Sequence, residues 1–241
     1  MKRPLPGGNG GAVPLSAYRL PPGRHGLPRE LVAENQRWRL LGAITEGLAQ
    51  RGWAAITARD VATGAGVSSN TFYKYFDDIS ACLLAAHEVA VDCIWGVVSS
   101  ACETRSDRPA GPRAAIEAVL SFWASEPALA QLLGAETLAV VEAIAPERER
   151  LIARLGSLLR QSAPLGSIAS ASPPVFAEHL TAAAIALLAD RVRAGDADQL
   201  PNLGPELAQL LLMPGGPTDT ERPASDTGKG ARRIGGSALH V

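Results

Sequence analysis

Aromatic residues are scarce in this chain. Phe, Trp and Tyr together make up 5% of its 241 residues, whereas the hydrophobic set as a whole reaches 46%. Much of that hydrophobic content is alanine and leucine, which favour helices, while aromatic side chains are enriched in strands. The composition therefore favours a helical protein over a sheet protein.

Cysteine is also rare, and the spacing of its three positions argues against disulfides and a metal centre. Cys82, Cys93 and Cys102 lie on one predicted helix. Two cysteines eleven residues apart on a helix are separated by about 16 Å, which is beyond disulfide reach. His87 points about 140° away from Cys82 on the same helix, so these side chains cannot converge on a metal ion. Reduced thiols and no metal site predict a soluble cytoplasmic protein.

Segments that would place the chain in a membrane or make it an enzyme are missing as well. No apolar run reaches the 18 or more residues of a membrane helix, and no hydrophobic segment follows Lys2 and Arg3 as in a secretory signal. The chain has no G-x-S-x-G, no P-loop, no G-x-G-x-x-G after a strand and no C-x-x-C. We therefore expect no membrane association, no enzymatic activity and no cofactor.

Charge is unevenly distributed along the chain, although it nearly cancels overall. The net charge is −1, yet residues 1–77 contain ten Lys or Arg and five Asp or Glu, which gives +5 and leaves −6 for the remainder. A basic end on an acidic body suits a protein that presents one end to the phosphates of DNA.

The stretch 57–76, TARDVATGAGVSSNTFYKYF, has the pattern of a helix-turn-helix. Thr57 and Asp60 form an N-cap signature, with an oxygen for the free N–H groups and an acid near the positive end of the helix. Glycines at 64 and 66 end that helix because glycine adopts positive φ without strain. A serine at 68 or 69 can then cap a second, short helix.

The second helix carries the candidate DNA-reading surface. Phe72 and Phe76 lie four residues apart on its buried face, and the opposite face carries hydrogen-bond donors and no acid. A helix of about nine residues is about 13 Å long and fits the major groove, which is about 12 Å wide. Residues near the N-terminus of such a helix reach base edges, and its flanks reach phosphates. The candidate base readers are Ser69 and Asn70, and the candidate phosphate contacts are Thr71, Tyr73, Lys74 and Tyr75.

The segment AITEGLAQRGWAAITARDVATGAGVSSNTFYKYFDD resembles the N-terminal domain of the TetR (tetracycline-repressor) family of transcriptional regulators. The matching features are a glycine after the first helix, the threonine cap, AGVS in the turn and TFY in the third helix. The resemblance implies an all-α protein with an N-terminal three-helix helix-turn-helix DNA-binding domain and a C-terminal helical ligand-binding and dimerisation domain. The resemblance also implies that Arg59 contacts the groove; the alternative is that Arg59 is a solvated surface charge. Thr57 is the remaining member of the candidate DNA-binding set.

We expect the chain to divide into four parts. These are a flexible N-terminal arm at 1–27, the DNA-binding domain at 28–76, the helical body at 77–213 and a disordered tail at 214–241. Arg24 and His25 belong either to a solvated linker or to a basic arm that reaches the adjacent minor groove. Helices are expected at about 28–51, 77–102, 113–125, 127–144, 147–162, 174–194 and 205–213.

The alanine-rich segment 174–194 and the leucine-rich segment 205–213 resemble the two helices by which the family forms a four-helix dimer interface. The alternative is an ordinary buried stripe within one chain. The candidate interface residues are Phe176, Leu180, Ala184, Leu187, Leu207, Leu210 and Leu211.

The body is larger than a dimer interface requires, and the resemblance implies that it binds an inducer. Its candidate ligand-binding residues, which would equally suit a helical core, are Trp95, Phe122, Trp123 and His179. The sequence thus predicts a homodimeric regulator that binds operator DNA, most simply a repressor released by a small, mainly apolar molecule. Two alternatives remain: a thiol-based redox regulator that senses through Cys82 or Cys93, and an architectural DNA-binding protein without a ligand.

Overall fold

The computed structural model describes residues 29–103, 110–134, 144–162 and 173–212. These segments contain helices and turns and no strand, and the predicted all-α fold class is confirmed. The helices are α1 Arg29–Arg51, α2 Ala58–Gly64, α3 Ser69–Phe72, α4 Ile79–Glu103, α5 Ala110–Ser125, α6 Pro127–Leu133, α7 Ala145–Ser162, α8 Pro174–Arg193 and α9 Gly204–Leu212, with 3₁₀ helices at Trp53–Ala55 and Ala197–Leu203. The predicted arm and tail, including Arg24 and His25, lie outside the described residues.

The first three helices share one apolar core. Leu40 and Ile44 of α1, Val61 of α2 and Phe72 of α3 are all 0% exposed and belong to the same cluster of buried side chains. Their spacing places one apolar face of each helix towards the others. The packing fixes α3 with its polar face outwards, which is the arrangement that a helix-turn-helix requires.

Helix α4 connects this domain to the helical body. Its first turns pack on α1, where Cys82 Sγ lies 4.0 Å from the Leu40 carbonyl oxygen, and its later turns pack mainly on α5. By length and hydropathy α4 could cross a membrane. Its buried side chains, among them Leu83, Ala90 and Ile94, lie in the protein core, which accounts for its apolar composition.

The remaining helices surround the second half of α4. Helix α5 runs back along α4, α7 packs along α8, and α9 and the 3₁₀ helix Ala197–Leu203 cover α5. Leu120, Leu132 and Leu200 are fully or almost fully buried in this body. The result is a helical body whose core is continuous with that of the DNA-binding domain, to which it is joined through α4 and through the packing of α6 on α1.

Two helix predictions need correction, and one helix was not predicted. The predicted nine-residue recognition helix is only Ser69–Phe72, and hydrogen-bonded turns continue it to Phe76. The predicted helix 127–144 ends at Leu133, since Gly134 is extended with φ −73° and ψ 169°. The 3₁₀ helix Ala197–Leu203 was not predicted; it holds a proline at position 201, which favours tight turns over a regular helix.

Candidate nucleic-acid interface and ligand cavity

The first helix of the helix-turn-helix is anchored by a reciprocal cap. The Asp60 amide donates to Thr57 Oγ1 at 3.2 Å, and the Thr57 amide donates to Asp60 Oδ2 at 3.0 Å. Arg51 Nη1 also lies 3.1 Å from Asp60 Oδ1. The hydrogen bonds from Thr57 are the main cause of a lowered pKa at the Asp60 carboxyl, to which Arg51 adds. Thr57 therefore positions α2, and its side chain is engaged in this cap.

The turn between α2 and α3 depends on Gly66. Its φ is +63°, a conformation that favours glycine, and a Cβ there would lie 2.5 Å from Arg39 Nη2. Arg39 Nη2 instead donates to the Gly66 carbonyl oxygen at 3.2 Å. Ser68 then caps α3 by accepting from the Thr71 amide at 3.1 Å. The turn is fixed at both ends, so the start of α3 has a defined direction.

The exposed face of α3 consists of polar side chains without an acid. Tyr73 is 58% exposed, Asn70 and Lys74 are exposed, and Ser69 is half-buried. The nearest acids on the C-terminal side are Asp77 and Asp78, and Asp78 accepts from the Ala81 amide at the start of α4 at 2.8 Å. This face of α3 suits the phosphates of DNA, because it carries hydrogen-bond donors and the cation of Lys74. It has no carboxylate that would repel a phosphate.

Two of the predicted phosphate contacts have partners within the domain. Thr71 is half-buried, with Oγ1 at 2.9 Å from Ser68 Oγ. The Tyr75 hydroxyl donates to Gln36 Oε1 of α1 at 2.9 Å in a partly buried setting. The hydroxyl of Tyr75, a predicted phosphate contact, is thus engaged in holding the recognition segment to α1. Arg59 is exposed on α2, as a groove contact requires.

An apolar cavity of about 130 Å³ lies inside the helical body. Helices α4, α5, α6, α7, α8 and α9 all contribute to it, and among the described lining residues only Thr181 and Cys102 carry a hydroxyl or thiol. Its wall consists of Ile94, Val98, Cys102, Pro112, Ala115, Ile116, Val119, Leu120, Trp123, Leu133, Leu151, Leu155, Leu158, Leu159, Thr181, Ala184, Ile185, Leu188 and Leu207.

Only one of the four predicted ligand residues lies on this cavity. Trp123 lines it and is 1% exposed. Trp95 lies outside it, with the Arg154 guanidinium carbon 3.9 Å from its ring centroid. Phe122, the neighbour of Trp123, is buried but is not part of the cavity wall. His179 is exposed, and its Nδ1 lies 2.6 Å from the Val175 carbonyl oxygen. Trp95, Phe122 and His179 therefore do not share this cavity with Trp123, because helical rotation directs their side chains elsewhere.

The predicted dimer residues also divide between the surface and the interior. Phe176 and Leu187 of α8 are 43% and 49% exposed, and the unpredicted Val175 is 58% exposed. Leu180 is half-buried, Ala184 is half-buried on the cavity wall, and Leu207 is 8% exposed on the same wall. Leu207 therefore packs within its own chain. The side chains of Leu210 and Leu211 lie outside the described residues.

Two of the three thiols, those of Cys82 and Cys93, lie in surroundings that suppress their reactivity. Burial raises the pKa of the Cys82 thiol to about 12, against a smaller lowering effect of Arg37, and burial, Asp92 and Glu126 raise that of Cys93 to about 11. Such thiols are poor redox sensors because the reactive form is the thiolate. Within the described residues no three potential metal ligands lie close enough together to form a metal site.

Together, the capped turn, the acid-free exposed face and the helical body define a helix-turn-helix protein of the DNA-binding regulator class. Residues 40–86 match the family model of bacterial regulatory proteins, tetR family. The chain thus carries the DNA-binding domain of the TetR family, and the predicted family is confirmed. Members of this family are transcriptional regulators and generally not enzymes.

Solved structures share the fold over most of the chain. The fatty acid degradation regulator FadR from Bacillus halodurans has a TM-score of 0.65 at 17% identity, over 73% of this chain and 94% of its own. FadR from Bacillus subtilis in complex with stearoyl-CoA has 0.62 at 17% identity, over 73% and 97%. A TetR family regulator from Marinobacter aquaeolei VT8 has 0.58 at 21% identity, over 74% and 97%. A comparison with curated proteins found no match.

Proposed function

We propose that this protein is a cytoplasmic, homodimeric transcriptional repressor that binds operator DNA through α3 and is released by a small, mainly apolar ligand. The observation that carries the proposal is the exposed face of Asn70, Tyr73 and Lys74 on a helix fixed by the Ser68 cap and the buried Phe72. Such a helix can enter the major groove without rearranging.

The roles on this face follow from position along α3. Ser69 and Asn70 lie at its N-terminal end and read base edges, while Tyr73 and Lys74 lie on its far flank and hold phosphates. Thr71 adds a phosphate contact by donating its hydroxyl hydrogen, which is free when Ser68 Oγ donates to Thr71 Oγ1. Arg59 of α2 reaches the same groove from the side.

The DNA-binding part of the proposal is tested by selecting bound fragments from a random DNA library and sequencing them. We expect a near-palindrome with half-sites about one helical turn apart or a small multiple of that spacing. Selection of no common sequence, with binding that depends only on salt, would contradict a sequence-specific regulator and favour the architectural alternative.

The exposed apolar side chains of α8 support a two-fold interface between copies of this chain. Val175, Phe176 and Leu187 are large and exposed on a helix whose other face is buried, and apolar exposure of this kind marks an interaction surface. Leu187→Glu should convert the dimer to a monomer in analytical ultracentrifugation, because a charge would be buried at the interface. The matched control is Leu31→Glu at an α1 residue that is 44% exposed. A monomeric wild-type protein at micromolar concentration would contradict the proposal.

The cavity supports a ligand-responsive regulator. Its lining is that of a site for a mainly apolar molecule, and the Bacillus subtilis neighbour of the same fold is described in complex with stearoyl-CoA. A ligand releases DNA only if it binds the DNA-incompetent arrangement more tightly. Helix α4 is the natural lever, because it lines the cavity with Ile94 and Val98 and packs on α1 near Cys82. A tilt of α4 would change the separation of the two α3 helices in the dimer.

The same observations argue against both alternatives. A redox regulator needs a thiolate, whereas burial raises the pKa of Cys82 and Cys93. An architectural protein needs no ligand site, whereas the body contains an apolar cavity in its core.

A further inference from the structure

The cavity in the helical body has no charged side chain among its described lining residues. The two that carry a hydroxyl or thiol already use their hydrogen atoms within the chain. Thr181 Oγ1 donates to the Ala177 carbonyl oxygen at 2.8 Å, and Cys102 Sγ donates to the Gly111 carbonyl oxygen at 4.0 Å. Neither group is therefore free to donate a hydrogen bond to a ligand.

Trp123 is the one described wall residue with a buried polar atom that lacks a partner, its indole Nε1. An indole nitrogen is a single neutral donor, which can interact with a neutral acceptor or with the face of an aromatic ring. It supplies no charge to balance an anion. The half-buried Glu126 follows Trp123 by about one helical turn and is not on the wall. Its carboxyl would repel an anion on this side of the cavity instead of binding it.

Two cations lie next to wall residues in the sequence, but neither belongs to the wall. Arg113 follows Pro112 and is exposed, and Arg160 follows Leu159 and is half-buried. An ionised group inside the cavity would therefore be buried without a charged partner among the described lining residues, which is far more costly than burying a hydrocarbon. The lining thus selects an uncharged molecule.

The size of the cavity limits the ligand to about one ring. An apolar cavity of about 150 Å³ binds benzene, and the cavity here measures about 130 Å³. A space of this size does not enclose a long acyl chain such as that of stearoyl-CoA in the Bacillus subtilis neighbour. We propose that the ligand of this body is a compact, uncharged hydrocarbon about the size of one aromatic ring, enclosed by the cavity wall. This inference rests on the proposed ligand-responsive function and names the chemical class of the ligand.

The test compares toluene with benzoate, which carries a carboxylate in place of the methyl group, by isothermal titration calorimetry on the full chain without DNA. We expect the wild-type protein to bind toluene at least about a hundredfold more tightly, because the cavity has no partner for a carboxylate. Ala115→Leu fills the cavity wall and should weaken toluene at least about tenfold. The matched control is Ala118→Leu, on the same helix but outside the wall, which should bind toluene as the wild type does.

Leu155→Ala provides a second variant, because it enlarges the cavity instead of filling it. It should raise the affinity for butylbenzene relative to toluene about tenfold, since the longer hydrocarbon gains room. Should Ala115→Leu fail to fold, this shift decides. Toluene binding that neither variant changes would show that toluene binds elsewhere on the protein, and the inference would be wrong.

A ligand with its carboxylate outside the cavity is the main alternative, because Nε of Arg160 is buried without a partner among the described residues. Butylbenzene and phenylbutyrate, which differ by a terminal carboxylate, distinguish the two ligand classes. We expect butylbenzene to bind Leu155→Ala more tightly than phenylbutyrate does. Tighter binding of the acid, or equal binding of toluene and benzoate by the wild type, would overturn the uncharged class.

Operator release separates this inference from the proposed function. If toluene binds as expected but does not release a labelled operator, the ligand class stands and the ligand-responsive part of the proposed function fails. If toluene does not bind, the inference is overturned. Release of the operator by a compound of another class would then leave the ligand-responsive function standing.

Discussion

The DNA-binding domain and the helical body treat their buried polar groups in opposite ways. In the first domain Thr45, 2% exposed, donates to the Leu41 carbonyl oxygen at 2.8 Å, and both helices of the helix-turn-helix have side-chain caps. In the body His87, at 0% exposed, has no partner for either ring nitrogen among the described residues. The polar groups named in the DNA-binding domain are hydrogen-bonded within that domain. The body instead contains an apolar cavity and buried nitrogen atoms without a partner among the described residues.

This difference matches the work that we assign to each region. A helix that reads DNA must keep its direction without rearranging, and local hydrogen bonds at Thr57 and Ser68 achieve that. A ligand domain must gain free energy on binding, and an apolar cavity with the unpaired Trp123 side chain on its wall allows such a gain. Helix α4 lines the cavity and packs on α1, so occupancy of the cavity can influence the DNA-binding domain through this helix.

The largest expected effect is on the core of the DNA-binding domain. Phe72→Ala removes a fully buried side chain and should cost about 3–5 kcal/mol in the free energy of unfolding. It should also abolish operator binding, since Phe72 holds α3 in place. Chemical denaturation and fluorescence anisotropy with labelled operator measure the two effects. Phe122→Ala in the body should destabilise the protein comparably and preserve operator affinity. Equal loss of DNA binding in both variants would contradict the separate roles assigned to the two regions.

The buried His87 predicts acid sensitivity of the body. Burial, followed by the Arg148 charge, lowers the pKa of His87 to about 4, whereas an unfolded chain has a histidine pKa of about 6.5. Between these two pKa values His87 binds a proton in the unfolded chain but not in the folded one. The free energy of unfolding is therefore undiminished above pH 6.5 and falls by about 3 kcal/mol towards pH 4.

His87→Leu should remove that part of the pH dependence, measured as urea unfolding between pH 4 and 7. The exposed His179→Gln is the control, and it should behave as the wild-type protein does. The same pH slope in His87→Leu and wild type would show that His87 is not held neutral by the fold.

The exposed face of α3 should separate base reading from phosphate binding. Asn70→Ala should lose about 1–3 kcal/mol of discrimination at one base position, while Lys74→Ala should weaken binding to all sequences and reduce the salt slope by about one. Competition anisotropy against single-base operator variants distinguishes the two. A uniform loss of affinity in both variants, with no change in base preference, would remove Asn70 from the base-reading role.

The smallest expected effect concerns the cap of α2. Thr57→Ala removes the acceptor for the Asp60 amide and should cost about 0.5–2 kcal/mol of stability. The exposed Thr63→Ala in the same helix is the control, with no cap to lose. If the two variants unfold at the same urea concentration, the cap does not stabilise the domain.

The DNA-binding domain could be predicted closely because its signals are local. Thr57, Gly66 and Ser68 each act on backbone within a few residues of themselves, so their roles follow from the sequence alone. Even there, the tertiary bond from Tyr75 to Gln36 joins residues 39 apart in the chain, and no local pattern indicates it.

The cavity could not be predicted for the opposite reason. Trp95 and Trp123 are equally plausible lining residues by type, and only the rotation of α4 and α5 decides that Trp123 lies on the wall. No local pattern predicts that the ring nitrogens of His87 are buried without a hydrogen-bond partner, because this burial depends on how helices distant in the chain pack on α4. A histidine within an apolar helix was the one signal that the sequence offered.

The central claim is that occupancy of the cavity controls DNA binding, and operator release by a small apolar compound tests it most directly. Compounds are first selected by thermal shift on the wild-type protein. A labelled operator bound to the wild-type protein is then titrated with each compound that raises the unfolding temperature, in parallel with Ala115→Leu, which fills the cavity wall, and Ala118→Leu, which lies on α5 outside it. We predict that such a compound releases the operator from the wild type and from Ala118→Leu, while Ala115→Leu binds operator normally and does not respond. Unchanged operator affinity in the wild-type protein at saturating concentrations of every such compound would contradict the claim.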